Sequence, residues 1–413
     1  MTFDLYLPKS GSRQNIYLSF TDQIQKKTYT FRTPLRISRD CWDQEKQRPY
    51  NIYLKKNKKL NARLNEIKKI LAEHILKNRS LRKPPEQRTI SKEINNICIE
   101  KKDIYIEKSL LYYMHWYINT KKEMICHSTY KRYMVFLRLL ERFEGFLCKR
   151  LFAEEINSDF ICDFIAFGKL EEYSESTIYR SIHFVKTILN FAERKGIRTA
   201  VRELEIRRER QKSEMVTLTE KEILTINNTI VPPELQAAKD WLMISCYTGQ
   251  RFSDFMHFAK EKIKEIDGKT CISFVQKKTK KEIMMPLHPT VLHTIKRNNN
   301  QFPKLLNIHH YNNHIKEIAR IAKINEPVNA RKRLGYRTRN ILTEKWNSLT
   351  SHIGRRSFAT NFYGKIPTPL LMEATGHSTE EMFIRYINPL NWDKVLTLGR
   401  YFDKIYEESL MAI

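Results

Sequence analysis

The sequence predicts a mainly α-helical protein of several domains, with a small β-sheet near its start and a β-hairpin in its second half. The chain has 413 residues, more than one ordinary hydrophobic core accommodates. Short alternating runs typical of strands come first, and long segments with helical periodicity follow. We therefore expect a sheet-and-helix N-terminal domain, an all-helical middle domain and a mixed, mostly α-helical C-terminal domain with a β-hairpin.

The chain is strongly basic, with 74 Lys and Arg against 46 Asp and Glu and a formal charge of +28. This excess indicates a protein that binds a polyanionic partner, and nucleic acid is favoured over a membrane. The alternative is a basic protein without such a partner. No run approaches the roughly 18 apolar residues of a membrane span, and the first residues lack the apolar core of a signal peptide, so we expect a cytoplasmic location. The seven cysteines are scattered without a C-x-x-C pair, which favours neither a disulfide framework nor a zinc cluster.

The first 82 residues combine strand-like runs with an amphipathic helix. The runs FDLYL, NIYLSF and KTYTFRT are separated by polar turns, and LKKNKKLNARLNEIKKILAEHIL has apolar residues at helical spacing among lysines. Residues 1–103 hold 24 Lys and Arg against 11 Asp and Glu. This concentration of charge favours a DNA-binding module over an ordinary solvated face.

The next part of the chain changes from an interrupted pattern to a continuous helical one. Pro84 and Pro85 forbid a continuous helix, so we expect a linker over residues 83–103. Residues 104–205 then have amphipathic helical patterns throughout. Serines stand where helices of this region could begin, at positions 128, 174 and 176.

A third region extends over residues 215–413. Its first helix has Thr217 or Thr219 as a candidate N-cap, and a later apolar helix ends at Gly249. The motif QRFSDF follows and places Arg251 at a helix junction. The segment TCISFVQKKTKKEIMMPLHP alternates like a β-hairpin. Its tip carries the lysines 277, 278, 280 and 281.

Two motifs near the C-terminus hold polar residues at fixed spacing. SHIGRRSFATNF places His352 and Arg355 three residues apart, on one face of a helix. In GHSTEEMFIRYI, Gly376 ends a helix and His377 follows directly. Ser378 and Glu381 have the spacing of a capping box, which starts a short helix that carries Tyr386. Each polar residue is therefore expected near a turn, where a cleft presents side chains more easily than a core does.

These residue types suit chemistry at a phosphate ester. Two guanidinium groups match the nonbridging oxygens of a phosphodiester and the added charge of its transition state. A tyrosine can attack phosphorus, a histidine can manage its proton, and a lysine can protonate the departing oxygen. A zinc site at His352 and His377 is less favoured, because no third ligand stands at a suitable spacing.

With these motifs in order, the chain resembles the tyrosine recombinases, or phage-type integrases. Their signature is an arginine in a TGxRxSE/D context, a hairpin lysine before threonine, H-x-x-R, and a GHS motif followed by a tyrosine nine residues after its histidine. The chain contains TGQRFSD, KKT, HIGR and GHSTEEMFIRY in this order. The matching positions are Arg251, Asp254, Lys278, His352, Arg355, His377 and Tyr386.

The resemblance implies the domains and partners of such an enzyme. Residues 1–82 would be an arm-type DNA-binding domain, 104–205 a helical core-binding domain and 215–413 the catalytic domain, with 83–103 as the linker. The partners would be double-stranded DNA at core and arm sites, further copies of the chain in a tetramer, and an accessory protein that bends DNA or promotes excision. Neither a cofactor nor a metal ion is implied.

The resemblance also implies a mechanism. Tyr386 would form a 3'-phosphotyrosyl link, the arginines and histidines would hold the phosphate, and Lys278 would protonate the leaving 5'-oxygen. Strand exchange would pass through a four-way junction. Asp254 stands where a glutamate is commoner and is expected to orient Arg251. Lys277 is an alternative to Lys278 as the acid.

Two other functions remain open from the sequence. A type IB topoisomerase uses similar chemistry, but it has no use for a basic N-terminal module that reads a second set of sites. A catalytically silent DNA-binding regulator has little reason to keep six catalytic residues.

The C-terminal stretch VLTLGRYFDKIYEESL is expected to form an amphipathic helix, which docks in its own chain or on a neighbouring protomer.

Overall fold

The protein is described here by a computed structural model. It describes residues 3–8, 13–22, 27–81, 86–99, 105–206, 215–334, 337–387, 399, 401–403 and 407. The chain divides into two compact units, of which the first comprises Met1–Arg210 with Arg333–Thr338 and the second Gln211–Lys332 with Arg339–Ile413. Helices dominate both units and the sheets are small, which confirms the predicted fold class.

The first unit begins with a sheet covered on one face by helices. Three antiparallel strands lie in the order β1-β2-β3, and a two-stranded ribbon, β4-β5, follows. Their bounds are Phe3–Tyr6, Arg13–Asp22, Lys27–Ser38, Trp42–Asp43 and Arg48–Pro49 for β1 to β5, then Lys55–Ser80 for α1 and Gln87–Ile99 for α2. Strand alternation directs the apolar side chains of the sheet towards the helices, where they form one buried cluster with Leu64, Ile67 and Leu71 of α1.

Helix α2 occupies most of the stretch that the sequence assigned to a linker. Its Ile90 and Ile94 are buried in the core of the N-terminal domain. Helix α1 ends at Ser80 and α2 begins at Gln87, and both contribute to the same core. At least residues 87–99 of the predicted linker are thus a helix of the N-terminal domain, because burial of their apolar side chains favours packing.

The middle of the chain is all helical, as predicted. Its four helices are Leu110–Lys121 for α3, His127–Leu147 for α4, Ser158–Leu170 for α5 and Glu175–Glu193 for α6. Ser174 caps α6 by accepting a hydrogen bond from the Thr177 N–H at 3.2 Å. Ser128 is not a cap, because α4 begins at His127 and Cys126 occupies the capping position.

The N-terminal domain packs on the helical domain through α1 and α4. Lys69 Nζ lies 2.9 Å from Glu144 Oε2, and both side chains are almost fully buried. There is no room for a side chain at Gly145, where an added Cβ would lie 2.3 Å from Asn65 Cγ. The ion pair and this close approach both lie where the two domains pack together, and removing one partner of the buried pair would leave an uncompensated charge there.

The second unit surrounds a buried central helix. Its helices are Glu220–Asn228, Pro233–Thr248, Phe252–Phe255, Pro289–Arg297, Ile308–Ile321, Lys345–Ser348, Ile353–Phe362, Thr368–Thr375 and Glu380–Ile384, numbered α7 to α15. Its strands are Ile263–Ile266, Lys269–Val275, Glu282–Pro286, Pro327–Leu334 and Arg337–Glu344, numbered β6 to β10. Trp241, Leu242 and Met243 of α8 are fully buried. This helix positions the elements that carry the predicted site.

The strands of the second unit form two small sheets. The predicted hairpin is β7-β8, and β6 adds a third antiparallel strand to it. A second hairpin, β9-β10, was not predicted from the sequence. Thr219 rather than Thr217 caps α7, with a complete capping box to Glu222. Of the helices that the structure describes, none is both long and apolar enough to cross a bilayer.

Candidate active site

Arg251 is placed by the turn that ends α8. Gly249 closes this helix in the left-handed conformation, with φ of 65°, and an added Cβ there would lie 2.5 Å from Phe358 Cδ1. The next residues leave the helix, and Arg251 stands at the capping position of α9. Its Nη1 donates a hydrogen bond to Gln276 Oε1 at 3.1 Å. The side chain is thus held at a helix junction, as predicted.

The carboxylate of Asp254 contacts the hairpin rather than the Arg251 side chain. The residue is buried, and its Oδ1 accepts a hydrogen bond from the backbone N–H of Lys277 at 3.0 Å. Among the described residues this carboxylate has no hydrogen bond to the Arg251 guanidinium, and the two residues are joined only through their backbones, by the Asp254 N–H to Arg251 O at 2.8 Å. The expectation that Asp254 orients the Arg251 side chain therefore has no direct side-chain contact to support it. The carboxylate instead holds the start of the lysine turn against α9.

The two candidate lysines differ in what they contact. Lys277 Nζ lies 2.8 Å from His257 Nε2, which is not one of the predicted site residues. Lys278 is exposed, and its positive charge is among those that lower the pKa of His352. The structure thereby brings Lys278 near another predicted site residue. This contrast supports Lys278 as the acid, and the assignment stays a prediction.

Arg355 is fully buried and bonded on three sides. Nη1 donates to Gly249 O at 3.0 Å, and Nη2 donates to Thr375 O at 2.8 Å and to His377 Nε2 at 2.9 Å. Burial, followed by the nearby charge of Arg251, lowers the pKa of Arg355 to about 10. The guanidinium therefore stays charged at neutral pH. Its position comes from α13, whose preceding residue is His352.

His352 is exposed at the start of α13. Desolvation, followed by the charges of Arg356 and Arg355, lowers its pKa, and the charges of Arg251 and Lys278 act in the same direction. The imidazole is accordingly neutral at pH 7. The neighbouring positive charges disfavour protonation of this histidine, and a negatively charged group bound beside it would favour its accepting a proton or donating a hydrogen bond.

His377 is held as a neutral imidazole with a defined tautomer. Because an arginine can only donate, Nε2 accepts from Arg355, and Nδ1 therefore carries the proton that it donates to Thr375 Oγ1 at 2.8 Å. Burial and then the charges of Arg355 and Arg251 lower the pKa of His377 to about 3. The turn that allows this placement is Gly376, with φ of 72°.

Tyr386 lies against the side chains of His377 and Arg355, although its local structure differs from the prediction. Helix α15 begins after Thr379 rather than Ser378, and it ends two residues before Tyr386. The tyrosine is therefore in a turn and half-buried. Its ring centroid lies 5.0 Å from that of His377 and 5.3 Å from Arg355 Cζ.

Sequence reasoning missed Gln276, which joins the parts of this site. It is fully buried and contacts Arg251, Gln250, Thr279 and Thr375. The signal was present in the hairpin, where the inward-facing positions of β7 continue to residue 276. A polar residue in a core-facing position needs hydrogen-bond partners, and these are found only in the folded chain.

The low pKa of His377 predicts acid sensitivity. Its ordinary pKa is 6.5, and in the folded protein it is about 3. Between these values the unfolded chain binds a proton that the folded chain does not, so this contribution to stability is complete above pH 6.5 and is lost as the pH falls towards 3. We expect the Tm of His377→Gln to fall less than that of the wild type between about pH 7 and pH 4, as measured by differential scanning fluorimetry.

The exposed His309 provides the control, because His309→Gln removes a histidine away from this cluster. Its Tm should follow the wild-type curve. Parallel curves for the wild type and His377→Gln would contradict the neutral state assigned to His377.

Two segments of the chain match known protein families. Residues 216–391 match the phage integrase family, and residues 109–201 match the SAM-like domain of phage integrases. The chain belongs to the phage integrase family. It is accordingly a tyrosine-type site-specific DNA recombinase. No curated protein sequence matches it.

Several solved structures are similar to this chain at low sequence identity. A fragment of the Tn1549 transposon integrase in complex with circular intermediate DNA is 14% identical, with a TM-score of 0.51, and the match covers 71% of this chain and 99% of that one. Lambda integrase bound as a dimer to a core site is 16% identical, with a TM-score of 0.45 over 93% of this chain and 94% of that one. XerH bound to its difH substrate is 14% identical, with a TM-score of 0.46 over 76% and 88%.

Proposed function

We propose that this recombinase integrates and excises DNA by cleaving and rejoining strands through a 3'-phosphotyrosyl intermediate at Tyr386. The observation that carries the proposal is the arrangement of the tyrosine ring against His377 and Arg355, in a unit that also holds Arg251. A tyrosine beside a guanidinium group, in a unit that also holds Arg251 and the neutral imidazole of His352, has what a phosphoryl transfer requires, namely a nucleophile, charge stabilisation and a proton acceptor.

In the proposed reaction, the Tyr386 oxygen attacks the phosphorus and the bond from phosphorus to the 5'-oxygen breaks. Arg251 and Arg355 bind the nonbridging oxygens, His352 and His377 hydrogen-bond the phosphate and assist proton transfer, and Lys278 gives its proton to the leaving oxygen. The phosphotyrosine ester conserves the energy of the broken bond. The 5'-hydroxyl of a partner strand can therefore reseal it.

The proposed substrate is double-stranded DNA with core-type and arm-type sites, recombined by a tetramer through a four-way junction. The match to the phage integrase family supports DNA as the partner, and the Tn1549 transposon integrase, which has a similar fold, was solved in complex with DNA. An accessory protein that bends DNA or promotes excision, and a cytoplasmic location, complete the proposal. The proposed domains are 1–82 for arm sites, 104–205 for core sites and 215–413 for catalysis.

The outer face of the N-terminal sheet is the proposed arm-site surface. Arg32 and Arg36 of β3 are exposed on it, opposite Tyr17 and Asn15 of β2. Arg32 Nη2 donates to Asn15 Oδ1 at 3.1 Å, so the guanidinium is oriented but its charge is uncompensated by this contact. Cations on an open sheet face can reach the phosphates that border a groove.

We therefore expect Arg32→Gln with Arg36→Gln to lower the salt dependence of binding to arm-site DNA. If each arginine neutralises one phosphate, the slope of log K against log salt concentration should fall by about 0.9 per contact. Fluorescence anisotropy with DNA from the ends of the encoding element would measure it. A control pair, Lys149→Gln with Arg320→Gln, removes the same charge from side chains already paired with Glu155 and Glu317. An equal loss of slope in both pairs would assign the effect to net charge alone.

One assay tests the proposed function directly. The wild-type chain is incubated with a nicked DNA substrate whose cleavage releases a short strand, so that a covalent adduct accumulates on a denaturing gel. We expect a covalent adduct. If none forms on DNA that carries the recombined junctions of the element, the proposed enzyme is contradicted and the alternative of a catalytically silent DNA-binding regulator is favoured. Recombination between two sites, rather than relaxation of a supercoiled plasmid alone, separates a recombinase from a topoisomerase.

A further inference from the structure

Gln276 is a buried amide whose hydrogen-bonding capacity is fully used. Oε1 accepts from Arg251 Nη1 at 3.1 Å and from Thr279 Oγ1 at 2.6 Å. Nε2 donates to Gln250 Oε1 at 3.0 Å and to Thr375 O at 3.1 Å. Two acceptor sites and two N–H groups are all that a glutamine side chain has. This side chain therefore has no remaining capacity for other partners.

The orientation of this amide follows from its neighbours. The Arg251 guanidinium can only donate, and the Thr375 carbonyl can only accept. Exchanging the two ends of the Gln276 amide would set N–H groups against the guanidinium and an oxygen against the carbonyl. The arrangement is thus determined on both sides, and Gln250 is itself held, since its Nε2 donates to Ala374 O at 2.6 Å.

The Thr375 carbonyl connects Gln276 to the second arginine. It accepts from Gln276 Nε2 at 3.1 Å and from Arg355 Nη2 at 2.8 Å. A continuous path of hydrogen bonds therefore runs from Arg251 through Gln276 and the Thr375 carbonyl to Arg355. The packing around it is close, because a Cβ at Gly376 would lie 2.5 Å from Gln276 Oε1.

We propose that Gln276 is a positioning residue that sets the orientation of Arg251 and its spacing from Arg355 for binding the scissile phosphate. This inference rests on the proposed function of the site. Arg251 and Arg355 repel one another, and the charge of Arg251 contributes to lowering the pKa of Arg355. A neutral acceptor holds Arg251 against this repulsion without cancelling the charge that the phosphate needs. A carboxylate in the same place would neutralise that charge.

The test is single-turnover cleavage of the nicked substrate by Gln276→Met, which keeps the length of the side chain and removes all four hydrogen bonds. We expect cleavage about 10- to 100-fold slower, the range for losing a hydrogen bond to a charged group. DNA with sulfur in place of the bridging 5'-oxygen should not restore the rate, because the defect lies in the phosphate clamp. Combining Gln276→Met with Arg251→Ala should be no slower than Arg251→Ala alone.

A second variant separates positioning from folding. Gln276→Glu keeps the shape and both acceptor contacts, and should also cleave slowly, because its charge would pair with Arg251. The matched control is Gln236→Met on α8. Gln236 is not one of the site residues, and its Nε2 donates a hydrogen bond of 2.7 Å to Asp240 Oδ1. Its cleavage rate should equal that of the wild type. Circular dichroism and DNA affinity show whether each variant is folded.

Three results would overturn the positioning role of Gln276, and a fourth would refute the proposed function itself. Wild-type rates for Gln276→Met or for a folded Gln276→Glu overturn the inference. Rescue by the bridging sulfur overturns it too, since Gln276 would then act through the hairpin lysine by way of Thr279. Additive effects with Arg251→Ala show a general structural role and likewise overturn it. Failure of the wild type to form any adduct would instead refute the proposed function, and with it this role.

Discussion

A Tyr386→Phe variant is expected to form no covalent adduct with DNA while binding it almost as the wild type does. The substitution removes one oxygen, the proposed nucleophile, and keeps the ring that lies 5.0 Å from the His377 ring and 5.3 Å from Arg355 Cζ. No described group in these contacts can replace a tyrosine oxygen as attacking atom and stable phosphate ester. The loss should be complete on a denaturing gel after overnight incubation with the nicked substrate.

Tyr363→Phe is the matched control for this variant. Tyr363 is a half-buried tyrosine of the same unit, whose ring centroid lies 6.3 Å from that of Phe383. Its variant should form adducts at the wild-type rate. Adducts that persist in Tyr386→Phe would assign the nucleophile to another residue, and peptide mapping of the adduct would then identify it.

Lys278→Ala is expected to slow cleavage of ordinary DNA by about 100- to 10,000-fold. A 5'-alkoxide is a poor leaving group, and a positioned general acid contributes about this much to the rate. Lys278 stands at the tip of the hairpin, near enough to His352 for its charge to lower the pKa of that histidine. Single-turnover cleavage of the nicked substrate measures the effect.

Sulfur substitution at the leaving oxygen assigns this effect to proton transfer. A thiolate leaves readily without a proton, so Lys278→Ala should recover most of its cleavage rate on DNA with a bridging 5'-sulfur. Arg251→Ala should not recover, because charge on the nonbridging oxygens is unchanged by that sulfur.

Lys277→Ala is the control for the choice of lysine, and should cleave near the wild-type rate, because Lys277 Nζ is directed at His257. Selective sulfur rescue of Lys277→Ala instead would show that Lys277 is the acid. If the sulfur rescues neither variant, the hairpin lysines act in DNA binding.

Much of the fold could be predicted because the deciding signals are local. Gly249 and Gly376 ended the helices that their positions indicated, since only glycine adopts positive φ without strain at these close approaches. The lysine hairpin was found from its alternation. The predicted C-terminal helix lies almost entirely outside the described residues, so its existence and its docking remain predictions.

Other features depended on contacts between distant segments and were missed. Helix α2 lies in the stretch assigned to a linker on account of Pro84 and Pro85, and burial of Ile90 and Ile94 against the N-terminal core explains why it is helical instead. The short helix before Tyr386 ends earlier than the pattern suggested. The partner of Asp254 proved to be the backbone of Lys277, which no spacing along the chain could reveal.

The sequence by itself determined which chemistry this protein can perform, because a motif lists the arginines, histidines, lysine and tyrosine in order, and their functional groups do not depend on the fold. Only the tertiary structure decided the protonation of His377, the difference between the two lysines and the part played by Gln276. These properties come from burial and from contacts across up to 99 residues, such as the bond from Gln276 to Thr375 O. Local sequence carries no record of such contacts, since a side chain's hydrogen bonds and its loss of solvent are fixed only when distant segments pack together.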